Sequence, residues 1–273
     1  MFDSAPPATR FDLHLHSTRS DGRFAPDEVL RRAARGRLDV IALTDHDLAT
    51  SLTPGPHEIE GRTLYLLAGA EISAVHEGHE YHLLVYFPGE VPSGFVDFCR
   101  SQCAERVRRY EAARSALGVD GLPAPTKAAR HGDQALTRHH LARAMVDRGA
   151  ATSIADAFAR HLSHHHGTVP KLTIPFVDAI RLARDHGGVT SWAHPPMEGL
   201  GAVPTFAQAG LQGLEAWRPA VSGPDRRRLR RLARQHGMFL TGGSDWHGWG
   251  NPDDLGLFGV ERRELVDFCA ALG

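Results

Sequence analysis

Sulfur, lysine and net charge are all scarce in this chain. It has three cysteines, Cys99, Cys103 and Cys269, too few and too scattered for a disulfide framework or a CxxC metal knuckle. Cys99 and Cys103, four apart on an expected helix, read as core thiols. Basic and acidic residues number 31 and 32, a formal net charge of −1. That excludes a chain-wide electrostatic grip on duplex DNA or an acidic membrane, though not a local basic pocket. No stretch approaches the run of about 18 apolar residues that spans a bilayer. The start, MFDSAPPATR, lacks a basic-then-apolar signal pattern, and a cytoplasmic location is the expectation. Lysine occurs only at Lys127 and Lys171, neither at an expected strand end. A barrel hydrolase that bridges its ions with a carboxylated lysine, the route of many metal-dependent amide and ring hydrolases, has no residue for that role.

What the chain has is histidine. Eighteen of its 273 residues are His, and imidazole is both the commonest metal ligand and the acid–base group of neutral pH. The remaining composition, 42% apolar and 23% charged, is that of a globular protein able to bury one large core.

Short apolar runs alternate with amphipathic stretches, the pattern of strand–helix units around a mainly parallel sheet. Residues 11–16 read as a first strand, with Phe11, Leu13 and Leu15 on one face and Asp12, His14 and His16 on the other. Pro26 opens a helix that Gly36 stops. Val40-Ile41-Ala42-Leu43 reads as a strand covered on both faces, and residues 63–71 and 81–87 as the third and fourth. Residues 93–170 break the rhythm: they are Ala- and Arg-rich, helical in period, and read as an inserted cap. The alternation resumes with a helix from Pro175 to Gly187-Gly188 and strands at 189–193, 214–217 and 238–241, with a helix from Pro224 to Gly237 between the last two. Seven strands make an α/β barrel one short of the eight-fold form. The expected division is therefore 1–92 and 171–273 as barrel and 93–170 as a helical subdomain.

The metal-ligand residues collect at strand ends. His14 and His16 project from one strand at i and i+2. Asp21 lies in the turn after it, Asp45-His46-Asp47 ends the second strand, and Glu71 the third. His194 ends the strand after the insertion, and Asp245 and His247 follow the last. The carboxyl face is where barrel enzymes gather their chemistry. Asp12, Asp39 and Asp47 suit turn caps; the set as a whole does not. His82 starts a strand, but the 73–80 link is too short for a crossover. The third and fourth strands should run antiparallel and bring His82 beside Glu71. Nitrogen and carboxylate donors without thiolate suit Zn2+, Mn2+ or Fe2+. Nine ligands, at three or four per ion, suggest two or three divalent ions, with Glu71 able to bridge.

His14-Leu15-His16, Asp21-Gly22, the segment Ile41-Ala42-Leu43-Thr44-Asp45-His46-Asp47, Glu71-Ile72-Ser73, His82, Ala193-His194-Pro195 and Gly243-Ser244-Asp245-Trp246-His247 together resemble the polymerase-and-histidinol-phosphatase (PHP) superfamily over nearly the whole chain. The resemblance implies a distorted (β/α)7 barrel with a trinuclear centre. One metal would take His14, His16, Glu71 and Asp245, a second Glu71, His82 and His194, and a third Asp21, His46 and His247. Glu71, Asp245 and His194 would be the catalytic core, and metal-bound hydroxide would attack phosphorus. Within the superfamily the chain looks most like nucleoside 3′,5′-bisphosphate phosphatases and the related exoribonucleases that trim short RNA from the 5′ end. It implies a hydrolase of a phosphate monoester or diester on a small, nucleotide-like substrate. By that similarity Arg138 and His140, in Arg138-His139-His140-Leu141-Ala142, would grip substrate phosphate, beside Asp21, His46 and His247. His139 replaces the family's usual proline, and His164-His165-His166-Gly167-Thr168-Val169-Pro170 replaces a segment that normally carries a lysine and a tyrosine. A phosphatase of another small metabolite, or a non-catalytic metal-binding PHP module, are the alternatives.

Other features have plainer readings. The three adjacent histidines 164–166 suit a solvated loop. The run from Arg226 to Arg231 reads as a solvated helix face with Leu229 and Leu232 turned inward. Trp192 and Trp246 flank expected ligands, where base stacking and core packing account for them equally. The remaining histidines, among them His57, His76, His79, His131, His161, His186 and His236, suit the surface or helix caps.

Overall fold

The computed structural model describes residues 5–163, 166–170 and 172–273; His164, His165 and Lys171, named above, lie outside them. The strands are β1 (Arg10–Leu15), β2 (Val40–Leu43), β3 (Gly55–Ile59), β4 (Arg62–His76), β5 (His79–Phe87), β6 (Val189–Ala193), β7 (Gly213–Trp217), β8 (Phe239–Gly242) and β9 (Val260–Glu261). They form one sheet in the order β8-β7-β6-β5-β4-β2-β1-β9, with β3 on β4. Leu15 and Trp246 bridge the two sides of the remaining gap, so β1, β2, β4, β5, β6, β7 and β8 form a nearly closed, distorted seven-stranded barrel.

Within the barrel, pairing is parallel except at β4/β5 and β5/β6, and the edge strands β3 and β9 pair antiparallel with β4 and β1. The reversed β5 follows a two-residue turn, Glu77-Gly78, with φ of 47° and 79°, the left-handed pair a tight hairpin needs. Ser73 pairs with His82, and His82 with Ala193. The expected antiparallel step is therefore present, although β4 runs on to His76 rather than ending at Glu71. Two strands escaped the sequence reading. The segment Gly-Pro-His-Glu-Ile looks like a loop, yet it pairs with β4 as an edge, where proline costs no ladder bond. The second, β9, is only two residues long.

The strict alternation expected of β1 also fails. Its register against β2 slips between Asp12 and Leu15, as at a β-bulge. Phe11 and Leu13 pack with Tyr86 and Phe239, while Leu15 packs with Val29 and Leu30 of helix α1 (Pro26–Arg35). Trp192 and Trp246 resolve toward packing. Trp192 is fully buried against Tyr81, Phe176 and Phe206, and Trp246 stacks on Phe24 at 5.7 Å.

Between β5 and β6 lie α2 (Ser93–Leu117), α3 (Lys127–His131), α4 (Arg138–Asp147), α5 (Ile154–Ala157) and a single wide turn over Phe158–Leu162. They share an apolar cluster of their own, including Val107, Leu136, Leu141 and Met145. The outer wall continues with α6 (Phe176–Asp185), α7 (Val203–Gln208) and α8 (Gly223–Gln235), and α9 (Val266–Leu272) sets Phe268 against Tyr86. On α6 the residues Phe176, Ala179, Ile180 and Ala183 are buried, the i, i+3, i+4, i+7 stripe of a helix laid on a sheet. No helix among the described residues is long and apolar enough to cross a membrane.

A fully buried carboxylate helps tie α2 to the barrel. The Arg106 Nε donates to Asp47 Oδ2 at 2.5 Å, and its Nη2 and Nη1 donate to Ser73 Oγ and the Leu136 carbonyl. Asp47, expected as a turn cap, also accepts the Ser73 N–H at 2.8 Å; it is fully buried and Arg106 is 5% exposed. Removing one member of a buried pair strands the other charge. Arg106→Met should therefore lower unfolding stability by about 3–5 kcal/mol, read from the urea midpoint; a loss below about 1 kcal/mol would show the pair behaving like a surface one.

Candidate metal centre

The site begins with backbone geometry. Asp47, His194 and Asp245 have φ of 50°, 30° and 55°, left-handed values that cost a non-glycine residue about 1–3 kcal/mol. Each lies just beyond a barrel strand, where the chain turns sharply. Gly243 allows the last of these turns: a Cβ there would lie 2.4 Å from the His14 Cβ. Beyond β2 the chain stays beside β4, with His46 bridged to Glu71 and the Asp47 N–H donating to the Glu71 carbonyl.

All nine sequence-nominated ligands converge. Glu71 is fully buried at the centre. Its Oε2 lies 3.3 Å from His14 Nε2, 3.3 Å from His16 Nε2 and 3.0 Å from His46 Nδ1. Its Oε1 lies 3.0 Å from both His82 Nδ1 and His194 Nε2. Asp245 Oδ1 stands 3.4 and 3.2 Å from the same His14 and His16 nitrogens. Asp21 is 3.3 Å from His247 Nε2 and 3.7 Å from His46 Nε2. Four overlapping donor groups result: His16, Asp21, His46 and His247; His14, His16 and Asp245; His14, Glu71 and His194; and His46, Glu71 and His82. Asp45 stays out of the cluster, bracing the loop after β1 through Ser17 and Ser20.

Several of these atoms are left without hydrogen bonds. His14 Nε2, His16 Nε2, Asp21 Oδ1, His46 Nδ1 and Glu71 Oε2 are buried and have no partner in hydrogen-bonding geometry. Buried polar atoms normally find one, so a converging set of orphaned donor atoms fits a cation. The electrostatics agree. Burial opposes a charged His14, but Glu71, Asp245 and Glu215 outweigh it and hold its pKa well above the usual value. The same contest takes His16 to about 10 and His82 to about 9. Burial likewise opposes ionised Glu71, Asp21 and Asp245, yet the imidazoles around them keep all three well below the ordinary carboxylate range. For His46 burial wins and its pKa falls. The carboxylates thus draw positive charge into a buried space.

A cavity of about 350 Å³ opens from this cluster. Asp21, His46, His82 and His247 wall one end, and Glu80, Arg106, Arg109, Arg138, Tyr110, Phe158 and Trp249 line the rest. Arg138 opens α4 behind its cap Thr137 and faces this space. His140 does not line it; its Nδ1 accepts the Thr137 N–H at 3.1 Å. The neighbouring His139 does line it, stacked on Trp249 at 5.2 Å, and burial lowers its pKa to about 4. His166, at the end of the histidine tract, is exposed, and its Nε2 lies 2.8 Å from the Ala159 carbonyl.

Four residues went unnoticed in the sequence. Glu80 holds Arg109 at 2.9 Å and stands 3.9 Å from Arg138 and from His82; two positions before His82, it shares that residue's strand face. Arg109 left no signal among the arginines of α2, and Trp249 none beyond closeness to the Asp245-Trp246-His247 motif. Glu215 did leave one: a carboxylate inside the apolar strand Gly-Leu-Glu-Ala-Trp. It is fully buried, 2.9 Å from His14 Nδ1, and accepts the His194 N–H at 2.7 Å. Such outer carboxylates orient ligating imidazoles.

Comparison with known proteins accords with this arrangement. The PHP domain profile matches residues 12–112. The 5′-3′ exoribonuclease Rnm of Escherichia coli K12 is 33% identical over 251 residues, spanning 88% of this chain and 86% of that one. The 3′,5′-nucleoside bisphosphate phosphatase of Chromobacterium violaceum is 30% identical over 269 residues, 94% and 93% of the two chains. A crystal structure from Bifidobacterium adolescentis, assigned as a metal-dependent phosphoesterase, superposes with a TM-score of 0.76 at 26% identity over 98% of each chain. Barrel, donor cluster and relatives together define a metal-dependent hydrolase of phosphoric ester bonds. The chain belongs to the PHP family.

Glu215→Gln keeps the size of the side chain and removes the charge behind His14. Divalent-ion affinity, measured by chelator competition, should fall about 10–100-fold; an unchanged affinity would reduce Glu215 to a core-filling role.

Proposed function

We propose that the chain hydrolyses a phosphate ester of a small nucleotide, a nucleoside 3′,5′-bisphosphate being the type substrate, with two or three Mn2+, Zn2+ or Fe2+ ions held by His14, His16, Asp21, His46, Glu71, His82, His194, Asp245 and His247. The observation that carries this reading is the single buried carboxylate, Glu71, set within 3.3 Å of five imidazole nitrogens at the end of an arginine-lined cavity. When bound, such ions neutralise phosphoryl charge and lower the pKa of water.

The rest is the work of this chain's own side chains. Glu71 touches both halves of the cluster, one oxygen to each, and so sets the spacing between them. Glu215 fixes His14 and the backbone of His194. Arg138 and Arg109 bring forked donors suited to phosphate oxygens, and Glu80 holds their orientation. Residues 93–170 serve as a cap, supplying those arginines and a wall of Tyr110 and Phe158. A volume of about 350 Å³ suits a small nucleotide. His140 supports the grip indirectly, by shaping the start of α4.

A second reading, removal of nucleotides from the 5′ end of short RNA, is supported by the similarity to the Escherichia coli exoribonuclease. Elemental analysis joined to a phosphate-release screen over bisphosphonucleotides, sugar phosphates and short RNA tests both. A metal-loaded chain inert on all three classes would favour the non-catalytic module.

Two variants separate the roles. Glu71→Ala should abolish turnover and lower the bound metal, since it removes the shared ligand. Arg138→Ala should leave the metal in place and raise KM roughly 10–100-fold, the loss of a charged hydrogen bond of about 1.5–3 kcal/mol. Equal metal loss in both would overturn this division.

A further inference from the structure

Helix α8 differs from the other outer helices in its charge. Arg226, Arg227, Arg228, Arg230, Arg231 and Arg234 crowd it against Asp225 alone, and Ser222 Oγ donates to that carboxylate at 2.7 Å. On α1 and α6 arginines pair with carboxylates: Arg31 and Arg32 with Glu28, Arg35 with Glu60, and Arg181 with Asp178. On α8 the last five of the six arginines are exposed, and none of them meets a carboxylate among the described residues. Many stand at i, i+3 or i, i+4, where like charges each cost about 0.2–0.5 kcal/mol. The face weakens its own helix unless an anion lies along it.

Its position links it to the active centre. Arg226 and Arg230 lie over the Trp217 ring at 4.5 and 5.7 Å. Trp217 ends β7, and its carbonyl accepts the N–H of Gly243, two residues before Asp245. Further along, Arg228 and Arg231 line a groove of about 270 Å³ with Leu200 and Gly201. Gly201 also walls the next cavity, which shares Tyr81, Pro196 and Glu198 with a third that is bounded by His82 and His194. Adjoining depressions therefore run from the metal cluster to the arginine face.

We infer that the arginine face of α8 is an accessory surface for single-stranded RNA whose terminal nucleotide occupies the catalytic cavity; this rests on the nucleotide reading above. Guanidinium forks match phosphate oxygens. A strand of phosphates is a partner that five exposed guanidiniums on one helix fit, because each neutralised phosphate releases counterions, although Glu264 and Asp267 border Arg230 and Arg234.

The test uses the full metal-loaded chain and the triple variant Arg228→Gln, Arg231→Gln, Arg234→Gln, since glutamine keeps a helix propensity close to that of arginine. Binding of a 5′-phosphorylated, phosphorothioate-linked RNA dodecamer is followed by fluorescence anisotropy across a KCl series, with hydrolysis of nucleoside 3′,5′-bisphosphate measured in parallel. The slope of log Kd against log salt should fall by about 2, from roughly 0.7 per phosphate contact, while KM for the bisphosphate stays within about twofold, a change worth less than ~0.5 kcal/mol. An unchanged slope overturns the proposal. So does equal binding of polyglutamate with the same loss in the variant, which would mark an acidic protein as partner. Absent bisphosphate turnover in the unmodified chain would count against the catalytic reading, while anisotropy still reports on α8.

Discussion

The structure depends on one carboxylate surrounded by imidazoles. Glu71 is fully buried, yet five histidines from four strand ends approach its two oxygens. Charge in such a place is tolerated only when paired or coordinated to metal. Strand register, the left-handed turns at His194 and Asp245, and the close pass of Gly243 against His14 all serve that convergence. The surrounding barrel core supplies the apolar burial that offsets the strain.

The helical residues between β5 and β6 complete the site from outside. Arg106, reaching from α2 to Asp47, joins their own apolar cluster to the barrel mouth. Three positions on, Arg109 engages Glu80, which borders both the metal-cluster histidine His82 and Arg138. Arginines and an imidazole of the cluster are thereby gathered around one carboxylate. This spares the arginines the disorder of free side chains and keeps the cavity from being uniformly positive.

Much of the fold was legible because period and punctuation agree with the tertiary answer. The seven barrel strands, the cap-like helices and the reversal of β5 follow from apolar runs, prolines and link lengths. The edge strand Gly55–Ile59 was hidden because its residues carry no apolar alternation; only its pairing with β4 makes it a strand. The slip in β1 was hidden for a related reason. Alternation predicts faces only while register holds, and a bulge is a property of two strands together.

At the site, sequence alone determined which His, Asp and Glu residues were candidates, since donor chemistry depends on residue type and strand-end placement puts those types at one mouth. All nine nominated ligands meet there. Tertiary structure decided how they group, which arginines line the cavity, that His139 rather than His140 reaches it, and that Trp192 and Trp246 belong to the core while Trp249 lines the cavity. It also decided the roles of Glu80 and Glu215. The physical reason is distance: a side chain's type is local information, whereas its partner is chosen by packing across tens or hundreds of residues, as with Glu215 and His14, 201 positions apart.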